Sequence, residues 1–164
     1  MARVAQGIGM KIFAIDPGTT QSGWVLYEDL TVLDAGVSEN PDVMSMVASG
    51  CLGADELAIE MIASYGMGVG QEVFRTCWWT GRLAEIWLGR TGRLPLEVFR
   101  SEVKTLMCRN VTAKDSNVRI ALIDLIGPKG TKKQPGPTFK VSSHAWQALG
   151  VAVTAAHKLQ NPSA

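Results

Sequence analysis

Two acidic residues stand in apolar segments, where an uncompensated charge is costly. Asp16 ends the segment MKIFAID (10–16), and Glu60 lies within ELAIEMI (56–62). A carboxylate in such surroundings is poorly solvated unless a cation compensates its charge, and carboxylate oxygens are ligands that Mg²⁺ takes readily. We therefore predict that both side chains bind a divalent cation. The alternative for Asp16 is a structural acid that opens a turn at Pro17-Gly18.

The elements that would hold these acids follow from hydrophobic periodicity. The pattern predicts strands at 10–16, 22–28, 30–37, 56–62 and 95–100, and helices at 40–49, 71–88, from 101 onward, 114–126 and 143–159. Very short connections join the first three strands, which predicts an antiparallel meander. The predicted N-caps are Asn40, Ser101, and either Ser142 or Ser143. The fold class is α/β.

Composition supports one folded domain. The chain has 164 residues, of which 46% are hydrophobic and 19% charged, and this excludes a disordered chain. We expect an N-terminal extension at 1–9 and a single domain at 10–160. Three cysteines without C-x-x-C spacing predict neither zinc nor disulfides. Because no signal peptide or apolar span of about 20 residues is seen, we expect a cytoplasmic protein with no membrane contact.

The net charge of +1 hides a division along the chain. Residues 1–72 contain two Lys or Arg and ten Asp or Glu, whereas residues 73–164 contain 14 and five. Such asymmetry predicts a basic surface for a polyanion, although solvated helix faces would give the same composition. The segment GPKGTKKQPGPT (127–138) is predicted to be a mobile basic loop.

The acidic strands resemble those of a known family. KIFAIDPGTTQSGW (11–24) is similar to the opening of the RuvC Holliday junction resolvases, and LAIE (57–60) is similar to their second acidic strand. The segments around Lys104, Lys114-Asp115 and 142–158 also resemble the family, so the likeness runs from Met10 to about Lys158. It implies an RNase H-like fold, in which a three-strand antiparallel meander and two parallel strands form a five-stranded mixed sheet flanked by helices.

The resemblance also implies an activity. The chain would be a structure-selective endonuclease that cuts four-way or other branched DNA as a homodimer, in recombination, repair or phage DNA processing. Two Mg²⁺ or Mn²⁺ ions, about 4 Å apart, would hold the scissile phosphate, with Asp16 and Glu60 as ligands. No nucleotide cofactor is expected. The compact form suggests a phage or prophage member.

One position departs from the family's pattern. The C-terminal helix of the family usually carries two acids three residues apart, the first of them sometimes replaced by histidine, and His144 and Gln147 occupy these positions. Both could face one metal centre, since residues i and i+3 share a helix face. A glutamine oxygen can bind Mg²⁺ but carries no charge. Three explanations stay open: an engineered inactivation, another acid such as Asp115, or a protein that binds junctions without cutting them.

Each of these residues also has a structural alternative. Asp115 stands at the start of a predicted helix, where an acid is favourable as an N-terminal charge, and a lone histidine such as His144 is often a satisfied structural group.

Candidate DNA contacts come from one loop and from the basic residues. Tyr65 and Met67 lie next to glycines in SYGMGVG (64–70), where the family has an aromatic at the branch point. Tyr65 is predicted to stack on a base, with packing inside the loop as the alternative. The predicted phosphate contacts are Lys104, Arg109, Lys114, Arg119, Lys129, Lys132, Lys133 and Lys140. The tryptophans Trp78, Trp79 and Trp87 are predicted to form core or a dimer face.

A rival interpretation starts from the same turn. Asp16-Pro-Gly-Thr-Thr also resembles the phosphate motif of the actin, Hsp70 and sugar kinase superfamily, which would make the chain an ATP-binding domain. That fold needs two such domains around its nucleotide, and this chain has the length of one.

Overall fold

The computed structural model describes residue 7 and residues 9–162. Most of the predicted extension at 1–9 lies outside the described residues, and the domain predicted at 10–160 stays a prediction. In chain order the elements are β1 Ile12–Asp16, β2 Gln21–Glu28, β3 Thr31–Glu39, α1 Asn40–Ala48, β4 Glu56–Met61, α2 Gln71–Thr91, β5 Leu96–Phe99, α3 Arg100–Cys108, α4 Asp115–Ile126 and α5 Ala145–Gln160. A short 3₁₀ turn, Cys51–Gly53, precedes β4.

The five strands form one sheet in the order β3-β2-β1-β4-β5. The β3-β2 and β2-β1 pairs are antiparallel, whereas the β1-β4 and β4-β5 pairs are parallel. This arrangement confirms the predicted meander with two added parallel strands. The carboxyl ends of β1, β4 and β5 consequently lie at the same edge of the sheet.

Each face of the sheet carries its own hydrophobic core. Ala14 of β1 and Ala58 of β4 belong to the core built with α3, α4 and α5, while Ile15 and Ile59 belong to the core on the α1 and α2 face. Side chains alternate between faces along a strand. Asp16 and the acid at position 60 therefore point to the same side as Ala14 and Ala58, toward α5.

Helix α5 lies close to the sheet because small residues line much of its buried length. The tightest approach is at Gly23 of β2, which pairs with Asp16. A Cβ atom at position 23 would come within 2.8 Å of the backbone nitrogen of Ala145 and closer still to the carbonyl oxygen of His144. Glycine at this position lets the start of α5 reach the strand end that carries Asp16.

The predicted N-cap at Asn40 is wrong. Asn40 is the first residue of α1, and Glu39 stands at the N-cap without a side-chain bond. The buried Asn40 side chain instead accepts a hydrogen bond from Ser22 Oγ at 2.6 Å and donates one to the carbonyl oxygen of Gly18 at 3.0 Å. The Asn40 side chain thus links the turn after β1 to β2. Its hydrogen bonds are made with distant segments of the chain and not with the N-terminus of its own helix.

The predicted serine caps are also wrong. Ser101 lies inside α3, where the carboxylate of Glu102 accepts a hydrogen bond from the backbone N–H of Phe99 at 2.7 Å. No side chain caps α5 within the part of the chain that the structure describes. Its first N–H groups are satisfied instead by the backbone carbonyls of Ser142 and Ser143, which leaves those hydroxyls without a capping role.

Among the helices of residues 9–162, none is both long and apolar enough to cross a membrane. The expected cytoplasmic location stays a prediction.

Gly23→Ala is expected to lower the free energy of unfolding by about 1–3 kcal/mol, because the added methyl group meets backbone that must shift. The measurement is urea-induced unfolding followed by circular dichroism. Gly89→Ala in α2 is the matched control: it meets no described atom within 4 Å and is expected to stabilise the helix by up to about 1 kcal/mol. Equal stability of Gly23→Ala and the unsubstituted protein would contradict the close approach.

Candidate active site

The carboxyl edge of the parallel strands brings three charged residues together. Asp16 is the last residue of β1, Glu60 lies near the end of β4, and Arg100 directly follows β5. The register aligns Ile15 with Ile59 in the β1-β4 pair, so the two acids are neighbours as predicted. Such edges are where ligands commonly bind in sheets of this kind.

Two helix N-termini close the site from the α5 side. Asp115 is the first residue of α4, His144 stands at the N-cap of α5, and Gln147 lies in the first turn of that helix. His144 Nδ1 is 3.5 Å from Asp16 Oδ2, with the histidine side chain 66% exposed. The side chain of Gln147 is near enough to Asp115 to help lower the pKa of that carboxyl. All five predicted acid-site residues therefore meet in one place.

Arg100 lies at the centre of these acids. Its Nη2 is 2.5 Å from Asp115 Oδ1 and its Nη1 is 3.6 Å from Glu60 Oε2. Arg100 was not among the residues predicted for the site. The available signal was its position directly after a strand. Its partners could not be inferred, because they depend on which strands are neighbours in the sheet.

Burial dominates the protonation of the two strand acids. It raises the pKa of Asp16 from 3.8 to about 6, with the charge of Arg100 opposing the rise and Asp115 adding to it. Burial, followed by the charge of Asp16, raises the pKa of Glu60 from 4.5 to about 7, again against the charge of Arg100. Both carboxylates therefore gain from a cation, as an unsolvated charge must.

The pKa of Asp115 is shifted in the opposite direction, below its ordinary value. Its partial burial acts to raise its pKa, but the hydrogen bond and charge of Arg100, the charge of Lys104 and the hydrogen bond from Gln147 together hold that pKa below its ordinary value. Asp115 is thus the acid of this site that is already well supplied with positive partners.

The donor atoms fit a hard divalent cation, whose preferred ligands are oxygens. Glu60 Oε2 and Gln147 Oε1 are buried and have no hydrogen-bond partner among the described residues. The same part of the chain contains no group of three or more His, Cys, Asp or Glu placed to hold a metal ion. The guanidinium of Arg100 contacts Glu60 and Asp115 instead. The oxygens available at this edge are of the kind that Mg²⁺ or Mn²⁺ binds. They do not converge on a single point at which an ion would be fully coordinated.

Some predicted DNA contacts lie near the acids. Tyr65 and Met67 are 68% and 77% exposed in the loop that follows β4, so packing of Tyr65 inside the loop is not observed. The charge of Lys104 acts on Glu60 and Asp115. Arg119 lies over the ring of Trp146, 4.7 Å from its centroid, which places this arginine against the first turn of α5.

The other basic residues, apart from Lys114, are more distant. Lys114 adjoins Asp115 and is exposed, whereas Arg109 follows the far end of α3, about 13 Å along the helix from Arg100. The segment 135–140 lines a surface cavity together with Leu30, Thr31 and Val32 at the turn between β2 and β3, and Lys140 pairs with Asp34 of β3. This turn is at the opposite end of the hairpin from Gly23, the partner of Asp16.

The basic loop therefore lies away from the acids. The residues from Val37, opposite Gly23, to Thr31 span six positions of β3, or about 20 Å at 3.3 Å per residue. The structure does not bring Lys129, Lys132, Lys133 and Lys140 to the acid site, and Lys140 is paired with Asp34 at 3.0 Å. These lysines form a separate surface.

The three tryptophans of α2 differ in their surroundings. Trp87 is 2% exposed and belongs to the core, whereas Trp78 is 50% exposed. Trp79 donates a hydrogen bond to the carbonyl oxygen of Thr19 at 3.0 Å, and Arg82 lies over Trp78, 4.4 Å from the ring centroid. The core prediction is confirmed for Trp87, while the start of α2 presents exposed aromatic surface next to the turn after Asp16.

Comparisons with known proteins identify the fold. The structure of Thermus thermophilus RuvC superposes with a TM-score of 0.71 at 18% sequence identity, covering 94% of this chain and 98% of that one. The structure of T. thermophilus RuvC in complex with a Holliday junction substrate gives a TM-score of 0.72 at 18% identity, covering 94% and 97%. No protein-family model matches the sequence, and no curated protein matches it. The chain has the RuvC-like, RNase H-like fold that the sequence predicted.

Asp16→Asn is expected to make the protein more stable at high pH. In the unsubstituted protein the folded pKa of Asp16, about 6, exceeds the ordinary 3.8, so ionisation opposes folding as pH rises from about 4 to above 6. Removing that charge should raise the free energy of unfolding by about 2–3 kcal/mol above pH 7, and by almost nothing below pH 4.

The measurement is urea-induced unfolding in the presence of a chelator at several pH values. Asp124→Asn, the same chemical change at an exposed position of α4, controls for the loss of one surface charge. A stability difference for Asp16→Asn that does not vary with pH would contradict the burial of this carboxylate.

Proposed function

We propose that this chain is a metal-dependent endonuclease that cuts four-way or otherwise branched DNA. The observation that carries the proposal is the meeting of Asp16 and Glu60 at the carboxyl edge of a RuvC-like sheet, on the face toward α5. One structural neighbour is described in complex with a Holliday junction substrate, which supports branched DNA as the substrate. Recombination, repair or phage DNA processing is the proposed setting.

Different residues of the site would bind the metal ions and contact the phosphate during phosphodiester hydrolysis. Asp16 and Glu60 would hold Mg²⁺ or Mn²⁺, with His144 and Gln147 completing the ligand shell from α5. Two such ions, when bound, supply Lewis-acid stabilisation of the attacking and leaving oxygens. The strand ends keep the two carboxylates fixed, and burial disfavours their charged forms unless a cation is present. His144, beside Asp16 and largely exposed, is placed to contact the phosphate or an ion.

Charged and aromatic groups around the acids would bind the DNA. Tyr65, exposed in the loop after β4, is proposed to stack on an unpaired base, a contact worth about 1–3 kcal/mol in single-strand binders. Lys104, Lys114 and Arg119 would contact phosphates near the cut. The distant basic loop with Lys129, Lys132 and Lys133 would contact DNA away from the cut, because phosphates continue along each arm of a junction.

A homodimer is proposed because a four-way junction presents two equivalent strands, which a two-fold symmetric enzyme can cut together. The exposed residues Phe74, Cys77, Trp78 and Gly81 follow i, i+3, i+4 and i+7 spacing on α2. Phe74 and Trp78 are 62% and 50% exposed, and large exposed aromatics at this spacing suit a helix-mediated interface.

Incubation with a four-way DNA junction and Mg²⁺ or Mn²⁺ is expected to yield paired nicks, resolved on a denaturing gel. Asp16→Asn and Glu60→Gln should each slow cutting by about 10²–10³-fold, the loss typical of removing a group that stabilises the transition-state charge. Both should still bind the junction in the presence of a chelator, and that binding should weaken steeply with salt.

Asp124→Asn is the matched control for cutting, since it removes an exposed acid on α4. Junction binding without cutting by the unsubstituted protein would support the alternative function, a DNA-binding protein impaired at Gln147. Failure to bind any branched DNA would refute both functions.

Trp78→Ala is expected to convert a dimer to a monomer, because the substitution removes a large apolar contact from the exposed face of α2. Light scattering coupled to size-exclusion chromatography measures the mass of each variant. Ile120→Ala, which removes a 57% exposed apolar side chain from α4, should leave the dimer intact. A monomeric unsubstituted protein would show that the dimer proposal is wrong.

A further inference from the structure

We propose that the segment 128–137 forms a basic hairpin that binds a double-stranded DNA arm about six base pairs from the cut. The inference rests on the proposed function and deepens it, because it fixes where the second DNA contact falls and which form of DNA makes it. Branches with double-stranded arms are bound in preference to branches with single-stranded arms.

The segment 128–137 is a folded excursion from the chain. The fully buried hydroxyl of Thr138 donates a hydrogen bond to the carbonyl oxygen of Gly127 at 3.0 Å, so the two ends of the segment meet. Within the segment, an antiparallel bridge joins Gly130 to Pro135. Because the ends already meet, the connection from α4 to α5 does not require the residues between them.

A tight turn places two lysines at the tip of the basic hairpin. The backbone N–H of Thr131 donates a hydrogen bond to the carbonyl oxygen of Gln134 at 2.9 Å, and the backbone N–H of Gln134 donates one to Thr131 Oγ1 at 3.1 Å. Lys132 and Lys133 lie between these residues and are exposed. Hydrogen bonds therefore fix the backbone that presents both ammonium groups to solvent.

The positive charge of the basic hairpin is not paired with acids. Lys129 is exposed like Lys132 and Lys133, and among residues 9–162 no carboxylate forms an ion pair with any of the three. Asp124 is the last acid of the chain, so residues 125–164 contain lysines but no Asp or Glu. Unpaired surface charges of this kind bind nucleic acid by releasing its counterions.

An exposed strip of the chain connects the basic hairpin with the acid site. Its exposed members are Lys140, Ser142, Ser143 and His144. At one end Lys140 Nζ is 3.0 Å from Asp34 Oδ1, so the strip begins beside β3. At the other end His144 Nδ1 is 3.5 Å from Asp16 Oδ2. A DNA backbone can therefore run from the acids to the hairpin along one continuous surface.

The distance between the two regions suits a duplex. The path along β3 between them is about 20 Å at about 3.3 Å per residue. Each DNA strand carries one phosphate per about 3.4 Å of helix axis, so the second contact falls about six base pairs from the first. A duplex is stiff over this length, since its persistence length is about 150 base pairs. A single strand would have to be ordered to reach the same place, which lowers its affinity.

The experiment measures the binding of long-armed four-way junctions in the presence of a chelator. In one junction, uncharged methylphosphonates replace the phosphates about five to seven base pairs from the branch point. In the control junction they replace the same number of phosphates near the arm ends. The unsubstituted protein is expected to bind the first junction at least about tenfold more weakly than the control junction, because about two phosphate contacts are lost.

The double variant Lys132→Gln with Lys133→Gln removes the same contacts from the protein side. It should bind the unmodified junction about tenfold more weakly, with a salt dependence lower by about two in the log–log slope, and should bind both modified junctions equally. Lys11→Gln with Arg90→Gln removes two positive charges from other elements. This control variant should respond to the modified junctions as the unsubstituted protein does, and circular dichroism establishes that each variant is folded.

Three results would overturn the inference. They are equal affinity of the unsubstituted protein for the two modified junctions, equal sensitivity of the lysine variant and the unsubstituted protein to the modification, and an equal effect of the lysine substitutions on a branch whose arm is single-stranded. Any of these with intact junction binding refutes the role of the basic hairpin alone. Failure of the unsubstituted protein to bind any junction refutes the proposed function and the inference with it.

Discussion

The burial of two neighbouring carboxylates, whose negative charges also repel, is the constraint on which the site depends. Asp16 and Glu60 lie on neighbouring parallel strands and face the same side of the sheet. Each carboxylate therefore has a second negative charge nearby and little solvent to screen it. Arg100 relieves part of this repulsion because it follows β5, the next strand along the same edge. The guanidinium then fixes the place of Asp115, which pairs with it from α4.

Close packing of α5 is what turns a sheet edge into an enclosed site. The N-terminus of this helix can approach β2 only because position 23 has no side chain. This approach places His144 beside Asp16 and brings Gln147 near Asp115. The same geometry gives the acids their burial, so the packing of α5 and the raised pKa values of Asp16 and Glu60 have one origin.

The basic residues form two groups at different distances from the acids. Lys104 lies close to the acids and Arg119 lies against the first turn of α5, whereas the lysines of the basic loop lie beside the turn of the β2-β3 hairpin. A single phosphate group could not contact both regions. An extended polyanion could, which agrees with a DNA substrate whose arms leave the point of cutting.

The amino-acid sequence by itself determined the order of strands and helices, the mixed sheet and the two strand acids. These features are local: apolar periodicity marks each element, and an acid inside an apolar strand is conspicuous at Asp16 and Glu60. Helix caps were predicted wrongly, because Asn40 and the serines before α5 follow contacts with distant segments rather than local preference. Only the tertiary structure decided the place of Arg100, its pairing with Asp115 and the separation of the basic loop from the acids. Those relations depend on strand register and helix packing between residues far apart in the chain, which no local pattern encodes.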